Sequence, residues 1–148
     1  MVIQRWQSVL LLVVAVMMSL FSFLTIGTIE NEGVNYTFDT LGLHTTAGTS
    51  CSTWAFFVLS LLSAILPLIN IFKYRTLKLQ RTLCIVESVI LLSVIAIEVF
   101  YAFFHLPEAS VRLGWVCFTP LLALIADLWA HRLIGSDMKK LRDSDRLR

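Results

Sequence analysis

The sequence predicts an all-α membrane protein, an antiparallel bundle of four transmembrane helices with both termini cytoplasmic. Three observations predict it. First, 57% of the 148 residues are hydrophobic and only 15% are charged, with a mean hydropathy of +0.81. A soluble domain runs nearer ~45–50% apolar and ~25% charged. Second, the apolar residues gather into four runs, each roughly the ~20 residues that cross ~30 Å of hydrocarbon as a helix. Third, eleven of the twelve Lys and Arg residues fall on one side of those runs. Together these exclude a soluble globular domain and a disordered chain. Six Gly, three Pro and three Cys are too few for a collagen-like chain or a disulfide scaffold. The alternating polarity of a membrane barrel is absent.

The bundle is expected over residues 1–135. The first span covers about 7–27, behind a short basic start at Arg5. It is longer than a signal-peptide core, and Thr25-Ile26-Gly27-Thr28 makes a poor cleavage site, so a retained helix is expected. An external loop follows over 28–52, with Glu30, Glu32 and Asp39 but no basic residue. Within it, Val34-Asn35-Tyr36-Thr37-Phe38 is β-prone between Gly33 and Gly42, which suits a short hairpin resting on the bundle. The second span covers about 53–72 and the third about 82–104. Between them lie Lys73, Arg75, Lys78 and Arg81. A short loop at 105–112 makes the third and fourth spans neighbours. The fourth covers about 113–133, and a basic cytoplasmic tail over 136–148 carries Lys139, Lys140, Arg142, Arg146 and Arg148. Only Arg112 lies on the opposite side, so the positive-inside rule places both termini and the middle loop in the cytoplasm. Trp6, Tyr74 and Trp129 near one boundary, and Trp54, Tyr101 and Trp115 near the other, form two aromatic belts.

Helical spacing then sorts the faces. Ser8, Leu12, Ala15, Ser19, Ser22 and Ile26 share one side of the first span. Ser60, Ser63, Pro67 and Asn70 share one side of the second, and Pro120, Ala123, Asp127 and Ala130 one side of the fourth. Small residues of this kind let helix backbones approach closely. In the third span Cys84, Glu87, Leu91, Val94, Glu98, Tyr101 and His105 follow one unbroken stripe.

Carboxylates inside a membrane are costly, by ~2.5–3.5 kcal/mol at the bilayer centre, and need a reason. Glu87 and Asp127 sit at similar depths on antiparallel spans, with Asn70, Arg5 and His131 near the same level. They make a candidate intramembrane polar cluster. Two readings stand. In one, Arg5, Arg81 or Arg132 curls inward to pair with the carboxylates and the cluster pins helix register. In the other, the carboxylates and His131 form a proton or cation site. Glu98, Tyr101 and His105 form a second polar face nearer the outside. Asp145, Arg146 and Arg148 are expected to dock locally: Arg146 and Arg148 on anionic lipid or a partner's acidic patch, and Asp145, which such lipid repels, on a protein surface such as the 73–81 loop.

No metal set, cofactor motif or catalytic constellation is present, so no metal, no cofactor and no enzyme activity are expected. The three cysteines are expected to be small apolar fillers. The net charge of +2 is a poor guide to partners. Locally the cytoplasmic face is basic, which suits membrane lipids and does not suit nucleic acid.

Two end segments carry a likeness. Ile3-Gln4-Arg5-Trp6-Gln7-Ser8-Val9 before Leu10-Leu11-Leu12, and the ending Asp145-Arg146-Leu147-Arg148, resemble an uncharacterised bacterial family of small four-helix inner-membrane proteins, a domain of unknown function. Val2 is one residue more than the usual start. The resemblance implies four helices and a bacterial inner membrane, and brings no activity. The leading expectation is a non-enzymatic accessory or scaffold subunit, contacting another membrane protein or a second copy of itself. The alternative is a small proton- or cation-coupled permease using the intramembrane carboxylates.

Overall fold

The computed structural model describes residues 3–31, 33–45, 48–73, 76–104 and 110–146. Four helices form: α1 (Ile3–Phe23), α2 (Trp54–Phe72), α3 (Leu77–Phe103) and α4 (Thr119–Arg146). All four are long and apolar enough to cross a membrane. They pack in a closed ring, α1 on α2, α2 on α3, α3 on α4 and α4 on α1. Cross-helix hydrogen bonds show each neighbour running antiparallel. Near one end Ser22 Oγ donates to Ser60 Oγ at 3.0 Å, joining the end of α1 to the start of α2. At the other end Gln7 Nε2 donates to the Asp137 carboxylate, joining the start of α1 to the last turns of α4.

The expectation of an all-α chain is corrected by a five-stranded antiparallel sheet. Its strands are β1 (Gly27–Asn31), β2 (Val34–Asp39), β3 (Gly42–Thr45), β4 (Gly48–Ser52) and β5 (Ser110–Leu113), in the order β4-β3-β2-β1-β5. The 28–52 segment is therefore strand for most of its length, and the second connection adds a strand beside β1. The physical reason is backbone hydrogen bonding. A segment pressed against an apolar bundle end must pair its N–H and C=O groups, and β-branched and aromatic residues do so as strands. Ile29, Phe38 and Leu43 are buried against Phe21 and Phe56, with Phe38 stacked on Phe56 at 6.5 Å between centroids.

The sheet is also stitched to the helix ends. Ile26 N–H donates to Phe38 O, and Gly114 N–H to Ile26 O, both at 2.8 Å. Thr40 Oγ1 donates to Ser22 O at 2.8 Å and Thr53 Oγ1 to Thr40 O at 2.9 Å. These bonds end α1 at Phe23 rather than near residue 27, because strand partners take the backbone that another helical turn would use. Similarly Leu113 closes β5, and α4 starts only at Thr119, after a 3-10 turn over Trp115–Phe118. No break separates a tail at 136. α4 runs unbroken to Arg146, about 42 Å at 1.5 Å per residue, because Ile134, Asp137 and Met138 continue its inward stripe.

Three of the four expected faces are the buried ones: Ser60, Ser63, Pro67 and Asn70 in α2; Cys84, Glu87, Leu91, Val94 and Glu98 in α3; Ala123, Asp127 and Ala130 in α4. In the first span the expected face is borne out in part: Ala15, Ser22 and Ile26 are buried, but Leu12 is 49% exposed, and Gln7, Leu11, Val14, Met18 and Phe21 also turn inward. Toward the sheet, Met18 and Phe21 belong to the same apolar cluster as Ile29, Phe38 and Leu43.

Gly42 marks the tightest approach. Its φ is +149°, and a Cβ there would lie 2.1 Å from Cys51 O on the paired strand. Gly33 has a φ of +78° but open space around it. Gly42→Ala is expected to lower stability by about 2–4 kcal/mol, from backbone strain plus overpacking. Gly33→Ala should lower it by only about 1–2 kcal/mol. Thermal unfolding in mild detergent measures the difference, and equal losses would contradict the register at β3 and β4.

Candidate functional site

One group of buried polar side chains lies in the half of the bundle remote from the sheet. Asn70 ends α2 facing the first turns of α3, where it and Gln80 exchange bonds. Asn70 Nδ2 donates to Gln80 O at 3.2 Å, and Gln80 Nε2 donates to Asn70 O at 3.1 Å. Asn70 Nδ2 also reaches Cys84 Sγ at 3.3 Å. The Cys84 thiol lies beside the Asp127 carboxylate of α4, whose Oδ2 accepts from Ser88 Oγ at 2.7 Å. Glu87, adjacent to Ser88 in sequence and within electrostatic reach of Asp127, completes the group. A polar ladder thus climbs from Gln80 through Asn70, Cys84 and Asp127 to Ser88, with the Glu87 carboxylate near it but not hydrogen-bonded to it. It spans about 10 Å of α3.

Four of the expected cluster residues can be placed. Asn70, Glu87 and Asp127 come together, at 2%, 2% and 0% exposure. His131 does not join them. It sits half-buried on the groove between α3 and α4, where Arg81 Nε donates to its Nε2 at 3.1 Å. The Arg81 guanidinium also lies over Gly135, which leaves room for it. Arg5 belongs to α1, but its side chain lies outside the described residues. Arg132 points outward, exposed. Both Glu87 oxygens, Asp127 Oδ1 and Asn70 Oδ1 are buried without a hydrogen-bond partner among the described residues. The inward-curling arginines of the pairing reading are thus replaced, for Arg81, by an Arg81–His131 contact on the rim.

Ser88, Cys84 and Gln80 complete the ladder without having been singled out as its members. Cys84 already lay on the Glu87 stripe. Ser88 lies 100° round from Glu87, and only the position of α4 makes it a partner for Asp127.

Near the sheet, Glu98 is 6% exposed and its Oε1 lacks a partner among the described residues. Tyr101 lies half-buried, its ring 6.4 Å from that of Phe38. His105 lies outside the described residues, as do Arg148 and the side chains of Asp145 and Arg146. Cys51, Cys84 and Cys117 are free thiols. Among the described residues no group of three His, Cys, Asp or Glu side chains is placed to hold a metal ion.

Ser88→Ala removes the hydroxyl that donates to Asp127 Oδ2 and is expected to lower stability by about 1–3 kcal/mol. Glu87 has no ion pair among the described residues, so Glu87→Gln should change stability by less than about 1 kcal/mol. Loss of a buried ion pair at Glu87 would instead cost about 3–5 kcal/mol. Thermal unfolding of the two variants in the same detergent separates these cases.

A family model described as "Domain of unknown function (DUF4293)" matches residues 3–147. No curated protein and no solved structure matches the chain.

Proposed function

The chain belongs to the DUF4293 family, and from that premise we propose that it is a non-enzymatic, multi-pass membrane protein acting as an accessory or scaffold subunit. It makes lateral contacts with another membrane protein or with a second copy of itself. The observation that carries this reading is the packing between the polar ladder and the sheet. Val14, Met18, Phe21, Leu91, Val94 and Ala123 are all 0% exposed there, and the underside of the sheet closes the same end with Ile29, Phe38 and Leu43. This layer is largely apolar, with Ser60, Ser63 and Glu98 buried toward the sheet, and its close packing suits a structural body better than a conduit. The resemblance at the chain ends supports a bacterial inner membrane as its location. The basic end of the bundle supports a cytoplasmic position for both termini and the α2–α3 turn: Lys73, Lys78, Arg81, Lys139, Lys140 and Arg142 lie there, against Arg112 alone on the sheet side.

One observation favours the second reading, a small proton- or cation-coupled permease. The unpartnered oxygens of Glu87 and Asp127 lie on the ladder that leads inward from the basic end.

Purification in mild detergent followed by mass spectrometry is expected to show a stoichiometric membrane partner or a homo-oligomer. Proteoliposomes of the same material are expected to carry no proton or Na⁺ flux. A monomer that carries flux, lost in Glu87→Gln, would reverse the order of the two readings. In a background without the native cysteines, Lys139→Cys should react with a membrane-impermeant maleimide only after the cells are opened, and Glu30→Cys before. The opposite pattern would invert the orientation.

A further inference from the structure

We propose that the cleft between α1 and α4 at the basic end of the bundle is a binding site for one anionic phospholipid. The inference rests on the membrane reading of the four helices and is independent of whether the protein is a scaffold or a permease.

The cleft holds about 440 Å³ and is lined by Trp6 and Leu10 of α1 and by Trp129, Leu133 and Lys140 of α4. Trp129, Leu133 and Lys140 stand at i, i+4 and i+11, which places them on one helical face over about 16 Å. Along that face the chemistry is graded. Leu10 and Leu133 line the cleft with hydrocarbon, and Trp6 and Trp129, 65% and 60% exposed, add rings suited to the headgroup boundary. Lys140 sets a cation at the end nearest the chain terminus, with Lys139 and Arg142 close by in sequence. A phospholipid has the same order of parts, from acyl chain to phosphate. On the other flank of Trp129 a second cleft of about 500 Å³ includes Arg132. The Arg132 stem is long enough to carry its guanidinium toward the same headgroup level. Two carboxylates of α4 lie within a turn of Lys140: Asp137, turned inward where Gln7 donates to it, and Asp143, exposed; neither lines the cleft, where Lys140 is the charged side chain.

The molecule contains its own comparison. The groove between α1 and α2, about 340 Å³, is lined by residues such as Leu20, Phe23 and Leu68 and by no charged or tryptophan side chain. It offers a lipid tail a surface but gives the headgroup nothing to recognise. Charge complementarity therefore assigns the α1–α4 cleft to an anionic lipid, its acyl chain along Leu10 and Leu133 and its phosphodiester at Lys140.

Native mass spectrometry of the full chain tests this, with phosphatidylglycerol and phosphatidylcholine of identical acyl chains offered as probes, and inorganic phosphate alone as a third. One phosphatidylglycerol should be retained per chain, with a preference of about fivefold or more over phosphatidylcholine, as one interfacial cation provides. Lys140→Gln should abolish the preference, Lys140→Arg should restore it, and Trp129→Ala should weaken binding of both lipids. Phe23→Ala, in the uncharged groove, should leave the preference intact. Since Lys140 is exposed, its variants leave the packed interior untouched. Four results would overturn the proposal: equal retention of the two lipids, a preference that survives Lys140→Gln, displacement by inorganic phosphate alone, or a partner helix in the cleft in place of lipid.

Discussion

Hydrocarbon offers no hydrogen bonds, so a polar side chain on these helices is stabilised by meeting a partner within the bundle or by reaching its rim. The architecture follows from that constraint. Gln7 closes on Asp137, Ser22 on Ser60, Asn70 on Gln80 and Ser88 on Asp127, and each bond ties one neighbouring pair of helices in the ring. The lipid-facing sides carry Val, Leu, Ile and Phe, which make no such demand. Polar contacts set which faces meet, and the apolar residues between them fill the space. The backbone beyond the helices meets the same constraint by a different route. At the closed end its amides are satisfied by strand pairing and by Thr40 and Thr53, which bridge the sheet to the helix ends.

How legible this was depended on how local each signal is. The α3 stripe from Cys84 to Glu98 was readable because polar residues recurring on a helical period inside an apolar run mark the face turned away from lipid. The same holds for Asn70 and Asp127. The α1 seam was less readable, because Leu and Met serve equally well against lipid and against other helices. Leu11 rather than Leu12 turns inward because it packs on Cys84, Ala130 and Ile134 of the neighbouring helices. The sheet itself was half visible. Val34 to Phe38 signalled a strand, but β5 is only four residues long and reveals itself only by pairing with β1. Ser88 and Arg81 were hidden for another reason. Their partners lie on another helix, and no spacing within one span discloses a contact set by the rotation of two.

The two ends of the bundle are unlike in kind. One carries a sheet, acidic at Glu30 and Asp39, over a hydrophobic floor. The other carries the cations; each end has two exposed tryptophans, Trp54 and Trp115 beside the sheet and Trp6 and Trp129 at the basic end. Between them the interior changes from a polar ladder to an apolar plug. The fold is therefore polarised along the membrane normal far more than a plain four-helix bundle is. Its recognisable chemistry is concentrated at the basic end.

β1 and β5 are neighbours in the sheet, yet some eighty residues and two membrane crossings separate them. During synthesis β1 to β4 emerge first, and the outer edge of β1 stays open until β5 arrives. At roughly 5–20 residues per second that interval lasts about 4–16 s. An unpaired strand edge invites pairing with whatever chain is near. Addition of α3 and the strand behind it thus acts as the closing step of a sheet whose first four strands are already made. A nascent chain stalled after α2 would present a sticky edge to other stalled copies, a hazard that the arrival of β5 removes before α4 is made.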